Sequence, residues 1–212
     1  TVDDDLLTDG VMFDGSSIEG WKDISQSDMI MAPDVTTAVL DPFAAEPTMI
    51  VVCDILEPST GQSYDRDPRG IARKAMAYVE TSGVGDTVFM GPEAEFFMFD
   101  DVRFEVQGHT ASYKLDSAEG PYNSNREYED GNPGHRPGPK GGYVPVQPVD
   151  PASDIRAEMV TIMAQMGIEV EKHHHEVAPS QHELGVKFNT LLRAADDLQT
   201  YKYVVQQVAH SY

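Results

Sequence analysis

The spacing of apolar and polar residues predicts short strands at the start of the chain and a helix after them. Residues 1–66 contain brief apolar stretches separated by turn-forming residues, and the apolar run at 49–55 predicts a buried strand. A helix is then expected from Asp67, an N-cap residue followed by Pro68, to Gly83, a helix-ending residue. The apolar stripe of this helix comprises Ile71, Ala75, Tyr78 and Val79.

Strand-like and loop-like segments follow this helix. We expect a long strand at 87–99 and a loop-rich segment at 107–150, where glycines and prolines are frequent. Two further strands, at 168–177 and 182–189, are joined by a short turn that contains a proline.

Two more helices are expected in the second half of the chain. The first begins near Asp150 or Ser153 and ends at Gly167, and the second begins at about Arg193. The stripe of the first comprises Ile155, Met159, Ile162, Met163 and Met166. Because strands and helices mix without strict alternation, the predicted fold class is α+β.

We place a domain boundary just before the first helix, which gives domains at residues 1–66 and 67–212. Both ends indicate a piece of a longer protein. The chain begins with Thr1 rather than methionine, and an apolar helical spacing continues to Tyr212 without a stop signal. The residues that set this spacing are Leu198, Tyr201, Val204, Val205 and Val208.

Charge and cysteine content exclude several classes of protein. The 212 residues include 36 acidic and 15 basic ones, which gives a net charge of −21. Such a charge argues against a nucleic-acid backbone or an anionic membrane as the main partner. Cys53 is the single cysteine, which excludes a disulfide framework and fits a reducing compartment. No apolar run approaches the roughly 18 residues that a membrane span needs.

Two glutamates lie close together in the strand predicted at 87–99. Glu93 and Glu95 are two positions apart, so a strand places both side chains on one face of an otherwise apolar segment. Two buried carboxylates need a compensating positive charge, such as a metal ion or an arginine. The alternative is an exposed strand edge on which both glutamates are solvated.

Four of the seven histidines lie in one segment, residues 173–182. If the two strands around it form a hairpin, Glu176 and Glu183 flank the turn, and His174 shares the face of Glu176. Carboxylates and imidazole without thiolate favour a hard cation such as Mg²⁺ or Mn²⁺. The alternative is a solvated polar strand. Together the two acidic segments supply enough carboxylates for a two-metal site of the kind that binds phosphate groups.

Two loops carry weaker signals. The glycine-rich turn at 138–143 contains Lys140, which can contact phosphate with help from backbone N–H groups. It lacks the spacing of a P-loop, and an ordinary surface loop is the alternative. In the turn-rich cluster at 12–21, Asp14 and Ser17 are by spacing alone ordinary turn residues.

Taken together, these motifs resemble the bacterial class I glutamine synthetases, and the resemblance spans essentially the whole chain. The matching segments, in the order of the family, are 13–21, 91–97, 140–143 and 173–189, followed by 201–205. The resemblance implies a β-grasp-like N-terminal domain, followed by the first half of a catalytic domain built as an antiparallel sheet or half-barrel with helices. It also implies that ammonium is ligated to the γ-carboxylate of glutamate through γ-glutamyl phosphate, with ATP as substrate and two Mg²⁺ or Mn²⁺ ions per site.

The resemblance further implies roles for single glutamates. Glu95, Glu176 and Glu183 would hold the ion nearer the carboxylate of the substrate. Glu93 would bind the ion nearer the ATP phosphates, and the other ligands of that ion would follow residue 212.

Other matched positions surround this metal site in the family. Asp14 would bind ammonium and help to remove its proton in the active site of a neighbouring subunit, and Ser17 lies in the same catalytic loop. Glu171 and Phe188 match positions near the nucleotide. The positions matched close to the active site are Lys140, Tyr143 and His174.

The family resemblance implies a cytoplasmic homododecamer of two stacked hexameric rings, with active sites between subunits. Its partners would be glutamate, ammonium and ATP, with neither nucleic acid nor membrane. Because half of the active site would lie beyond residue 212, we expect these residues alone to be inactive. Two alternatives are a related γ-glutamyl amine or polyamine ligase, and a non-catalytic relative.

Overall fold

The computed structural model describes residues 3–121, 126–129 and 131–212, and these form an α+β fold, as predicted. Every pair of strands within this part of the chain is antiparallel. The helices are α1 (Asp4–Asp9), α2 (Pro68–Ser82), α3 (Ser153–Gln165) and α4 (Leu191–Ser211). The strands are β1 (Val11–Asp14), β2 (Asp28–Pro33), β3 (Val39–Leu40), β4 (Met49–Ile50), β5 (Cys53–Leu56), β6 (Phe89–Met90), β7 (Glu95–Phe97), β8 (Asp101–Gln107), β9 (Thr110–Asp116), β10 (Val170–His175), β11 (Gln181–Val186) and β12 (Asn189–Thr190).

One compact unit comprises Thr1–Gly91 and Phe188–Thr200. Its largest sheet has the strand order β1-β2-β5, and the fully buried Met29 lies on the central strand. The single strand predicted at 49–55 is wrong. The chain forms β4 and β5 instead, because the first pairs with β3 and the second with β2. Helix α1, which was not predicted, is capped by the Asp3 side chain.

Helix α2 begins and ends as predicted, but its apolar stripe is exposed. The Asp67 side chain accepts the N–H groups of Arg69 and Gly70, and Gly83 ends the helix in the left-handed conformation with a φ of 72°. Three of the four stripe residues are exposed, namely Ile71, Ala75 and Tyr78, and Val79 is half-buried.

Ion pairs anchor the start of α2 to the rest of its unit. The buried Arg69 guanidinium contacts the carboxylates of Asp34 at 2.6 Å, Asp54 at 2.9 Å and Asp196 at 3.0 Å. Arg73, whose side chain is 45% exposed, shares Asp34 and Asp54. Arg69 therefore joins the start of α2 to β5 through Asp54 and to α4 through Asp196.

The second compact unit comprises Pro92–Lys187 and Tyr201–Tyr212. Its central sheet has the strand order β10-β11-β7. The predicted hairpin at 168–177 and 182–189 is confirmed by the antiparallel pairing of β10 with β11. The long strand predicted at 87–99 is wrong. It splits at Gly91 and Pro92 into β6, which pairs with β12, and β7, which pairs with β11.

Part of the segment predicted as loop is a hairpin. Strands β8 and β9 pair along seven residues each, on either side of a turn at Gly108. Apolar residues alternate along β8, and this period-two signal was overlooked. The described residues between 117 and 150 contain no helix or strand, while residues 122–125 and 130 of the predicted loop lie outside the described part.

Helix α3 lies where it was expected, and most of its predicted stripe is confirmed. Met159, Met163 and the following Met166 are buried, whereas Ile155 and Ile162 are half-buried. Arg156, which was not predicted, is buried on the same helix. Helix α4 confirms the last predicted helix, with Tyr201, Val204, Val205 and Val208 buried. No helix in the described part of the chain is long and apolar enough to cross a membrane.

Candidate metal centre

The register of one sheet brings three candidate ligands to the same face. In the ladder between β10 and β11, His174 lies opposite Glu183. In the ladder between β11 and β7, Glu183 lies opposite Glu95. Residues directly opposite each other project from the same face of a sheet. His174, Glu183 and Glu95 therefore share one face, which we call the acidic face.

The turn after β10 adds a fourth side chain to the acidic face. His174, Glu176 and Glu183 each offer one ligand atom within 4.8 Å of the others. His174 Nδ1 lies 3.4 Å from Glu176 Oε1, and His174 Nε2 lies 3.7 Å from Glu183 Oε2. Both glutamates are buried, and Glu183 Oε1 accepts no hydrogen bond from any residue that the structure describes.

This donor set fits a hard divalent cation. Two buried carboxylates close to each other repel and are costly to desolvate, so a cation between them offsets both costs. The oxygen of Glu183 that lacks a hydrogen bond is available as a ligand atom. Carboxylate oxygens with a single imidazole and no thiolate suit Mg²⁺ or Mn²⁺ better than a soft metal.

Glu93 and Glu95 follow one of the two alternatives that the sequence left open. Both side chains are exposed, as solvated glutamates at a strand edge would be. The Glu95 carboxylate points to Gln181, whose Nε2 donates to Glu95 Oε2 at 2.5 Å. Glu93 precedes β7 and lies in the non-strand residues after Pro92, so the expected shared strand face of the two glutamates is wrong.

The glycine-rich loop packs directly against the turn that carries Glu176. Gly142 N donates to Val177 O at 3.0 Å, and Val144 N donates to His175 O at 3.1 Å. A Cβ atom on Gly142 would lie 2.6 Å from Glu176 O, which is closer than a side chain can approach. Tyr143 thereby meets His174 edge to face, with ring centroids 5.8 Å apart.

Lys140 lies in the same loop and is exposed, after a turn in which Gly141 N donates to Gly138 O at 2.9 Å.

A buried histidine–glutamate pair contacts the backbone of the turn that carries Glu176. His175 Nε2 lies 3.0 Å from both carboxylate oxygens of Glu119, and His175 Nδ1 lies 2.7 Å from Glu176 O. Burial lowers the pKa of His175, but the hydrogen bond and charge of Glu119 outweigh it and raise the pKa overall. Glu119 also accepts the N–H of Ser180, so one carboxylate fixes both ends of the turn.

A second buried pair contacts the other strand of the hairpin through His182, which lies directly opposite His175. Arg156, which is 1% exposed, forms an ion pair with Asp150, and its Nη1 lies 3.0 Å from Nδ1 of His182. Burial and the nearby Arg156 charge lower the pKa of His182 to about 3. His182 is therefore neutral and accepts a hydrogen bond from Arg156.

Sequence reasoning missed both supporting pairs. The signal for Arg156 was present, since it shares the helical spacing of the buried Ala152, Met159 and Met163. Glu119 gave no comparable signal, because it lies in an irregular segment and its partners are about 60 residues away in the sequence.

Asp14 and Ser17 lie in the first compact unit, at the end of β1. Asp14 Oδ1 accepts the Ser16 N–H at 2.8 Å and the Ser16 hydroxyl at 2.6 Å, and Oδ2 accepts the Ser17 hydroxyl at 3.4 Å. The hydrogen bonds from Ser16 lower the pKa of Asp14. The exposed carboxylate is thus kept ionised and can accept a cation.

The two residues matched to the nucleotide are both exposed. Glu171 lies on β10 in the second unit. Phe188 lies in the first unit, where its ring meets that of Phe89 edge to face with centroids 5.6 Å apart.

Comparison with known proteins gives one consistent family. Residues 65–212 match the family model described as glutamine synthetase, catalytic domain, and residues 1–58 match the glutamine synthetase beta-Grasp domain. These matches confirm the expected β-grasp-like start and catalytic-domain remainder.

Individual relatives agree with the family models. The chain is 62% identical to a glutamine synthetase of Azospirillum brasilense and 55% identical to one of Vibrio cholerae. It also superposes on a cryoEM structure of Plasmodium falciparum glutamine synthetase with a TM-score of 0.86 at 29% identity, covering 99% of this chain and 41% of that one. The two bacterial alignments include all of this chain but 45% of each relative, so the chain spans less than half the length of the relatives it matches. By both domain matches and by sequence identity, this chain belongs to the glutamine synthetase family.

Proposed function

We propose that the chain is the N-terminal part of a bacterial class I glutamine synthetase. The complete enzyme ligates ammonium to the γ-carboxylate of glutamate, using ATP and passing through γ-glutamyl phosphate. The observation that carries this proposal is the acidic face, where His174, Glu176 and Glu183 converge within 4.8 Å in a chain whose relatives are glutamine synthetases.

We assign the metal ligands as the family resemblance implies. Glu95, Glu176 and Glu183 hold one Mg²⁺ or Mn²⁺ ion, and Glu93 contributes to a second ion together with residues from the rest of the enzyme. When bound, these ions neutralise the phosphate charge and align the phosphoryl group for transfer. The register between β11 and β7 supports the assignment, because it places Glu95 directly opposite Glu183 on one face of the sheet.

The residues around the ligands hold them in place before substrate arrives. The Glu119–His175 pair fixes the turn that carries Glu176, and the glycine-rich loop packs against the same turn through backbone hydrogen bonds. Ligands fixed in this way lose little conformational freedom when an ion binds. Tyr143 lies against His174 and limits the directions that this imidazole can take.

We assign ammonium binding to Asp14, which would act in the active site of a neighbouring subunit. An exposed carboxylate whose pKa is lowered stays ionised and can hold a cation. Its role in removing the proton of ammonium is assigned from the family resemblance. Ser17 steadies that carboxylate through its hydroxyl. As the family resemblance implies, we assign Glu171 and Phe188 to nucleotide binding, and each side chain is exposed. The exposed Lys140 is available to contact phosphate.

We further propose a cytoplasmic homododecamer of two stacked hexameric rings with active sites between subunits, and no role for nucleic acid or membrane. The single half-buried cysteine and the net charge of −21 support this setting. We retain the domain boundary between residues 66 and 67. Because the chain covers 45% of its relatives, we propose that these 212 residues are inactive alone.

The test is an assay of the complete enzyme for Mg²⁺-dependent formation of glutamine from glutamate, ATP and ammonium. We expect activity in wild type, a loss in Glu183→Gln, and no loss in the control Glu169→Gln, whose side chain is exposed. Turnover with a polyamine or another amine, but not with ammonium, would favour the related amine ligases. Absence of turnover with every amine would favour a non-catalytic relative.

A further inference from the structure

A lysine lies on the acidic face beside the candidate ligands. Lys172 is on β10 two positions before His174, so both side chains project from the same face. Lys172 Nζ lies 3.8 Å from Glu183 Oε1, the buried oxygen that accepts no hydrogen bond from the described residues. The proposed function gives this cation no role.

The opposite strand makes room for the lysine stem. Lys172 lies opposite Gly185 in the ladder between β10 and β11. A Cβ atom on Gly185 would lie 2.7 Å from Lys172 Cγ and 2.8 Å from Lys172 Cε. The stem therefore runs across the backbone of Gly185, and this path directs the ammonium towards Glu183 rather than away from the sheet.

We infer that Lys172 is an internal counter-cation of the metal site, one that competes with the divalent ion for Glu183 and lowers the affinity of the acidic face for it. This inference rests on the proposed metal-binding role of Glu183. With no ion bound, the ammonium offsets the charge of a buried carboxylate. When an ion binds, the lysine moves aside at little cost, because its side chain is 57% exposed and flexible.

The expected size of the effect follows from the charges. Two unit charges about 4 Å apart in a partly solvated site interact strongly enough to change a binding constant by about fivefold or more. Loss of the ammonium therefore raises the Mn²⁺ affinity by about this factor, since the ion no longer displaces a bound cation.

The experiment measures Mn²⁺ binding to the complete enzyme by electron paramagnetic resonance of the free ion. Lys172→Met should bind Mn²⁺ about fivefold more tightly than wild type, and Lys172→Arg should stay close to wild type because it keeps the charge. Gly185→Ala should give a smaller rise, since the added methyl displaces the lysine stem. The control is Lys187→Met, which removes a lysine that pairs with the exposed Glu169 instead.

Unchanged Mn²⁺ affinity in Lys172→Met would overturn the inference, and a raised KM for ATP in that variant would make Lys172 a phosphate contact instead. An equal rise in Mn²⁺ affinity in Lys187→Met would also overturn the inference, since it would indicate a general effect of net charge. Wild-type enzyme that binds no Mn²⁺ would overturn the proposed function as well, whereas the other results leave that function standing.

Discussion

His174 lies directly opposite Glu183 between β10 and β11, and their side chains approach to 3.7 Å between His174 Nε2 and Glu183 Oε2. Backbone pairing sets this proximity, since opposed residues in an antiparallel ladder have neighbouring Cβ atoms. His174 and Glu183 are thus positioned by the sheet itself.

Replacement of a buried carboxylate on the acidic face should weaken metal binding. Glu176→Gln keeps the size of the side chain but removes the charge that a hard cation needs, so we expect Mn²⁺ affinity to fall by at least about 10-fold. Isothermal titration of the complete enzyme with Mn²⁺ measures the change. Glu169→Gln is the matched control, and an equal fall in that variant would contradict the assignment.

The glycine-rich loop should tolerate a methyl group at one glycine and not at another. Alanine at position 142 would force the loop away from Glu176 O, because its Cβ would lie 2.6 Å from that oxygen. A displacement of this kind next to a ligand should lower kcat/KM for glutamine formation by about 10- to 100-fold. Gly138→Ala should be nearly neutral, since nothing lies within 4 Å of a Cβ there. Equal kinetics for the two variants would refute the packing argument.

Stability should fall in acid through His182. Its folded-state pKa is about 3, well below the value of about 6.5 in an unfolded chain. Between these values the unfolded state binds the extra proton, so stability falls as the pH decreases below about 6.5, by up to about 1.4 kcal/mol per pH unit. The Asn side chain in His182→Asn can still accept a hydrogen bond from Arg156 through Oδ1. The melting temperature of this variant should therefore fall less than that of wild type between pH 6.5 and 5.

The matched control for this pH effect is His109→Asn at an exposed turn. His175 has a raised pKa and acts in the opposite direction, since the stability that it adds is present in acid and lost as the pH rises. Wild type and His182→Asn both contain His175, so its contribution cancels when their pH profiles of stability are subtracted. Identical pH profiles for wild type and His182→Asn would show that His182 is not the responsible group.

The two arginines of the α2 network should differ sharply in their effect on stability. Arg69→Met leaves Asp34, Asp54 and Asp196 without their shared buried partner, and we expect a loss of about 3–5 kcal/mol in the free energy of unfolding. Arg73→Met, at the exposed position, should cost less than about 1 kcal/mol. Urea denaturation of both variants tests this, and similar midpoints would contradict the distinction.

Local signals predicted much of the fold. Asp67, Pro68 and Gly83 predicted the ends of α2, and the spacing of Tyr201, Val204 and Val208 predicted α4. The apolar run at 87–99 predicts one strand, but it forms β6 and β7, which pair with different strands and belong to different sheets. Short strands are set by their partners, and a partner is not visible in the local sequence.

The candidate site was predictable to the extent that its residues share a strand or hairpin. His174, Glu176 and Glu183 were expected together, and the hairpin brings them together. The supporting contacts of Glu119 were not expected, since they join segments distant in sequence. Arg156 differs, because the helical spacing that it shares with Met159 and Met163 indicates its burial. The strand face expected to be shared by Glu93 and Glu95 is wrong, because the strand begins at Glu95 rather than before Glu93.

The central claim is that the acidic face holds a catalytic divalent cation, and anomalous diffraction from crystals of the complete enzyme grown with Mn²⁺ tests it most directly. We expect a manganese peak within bonding distance of carboxylate oxygens of Glu95, Glu176 and Glu183, with Lys172 turned away. Manganese peaks elsewhere in the crystal, with none on this face at saturating Mn²⁺, would contradict it.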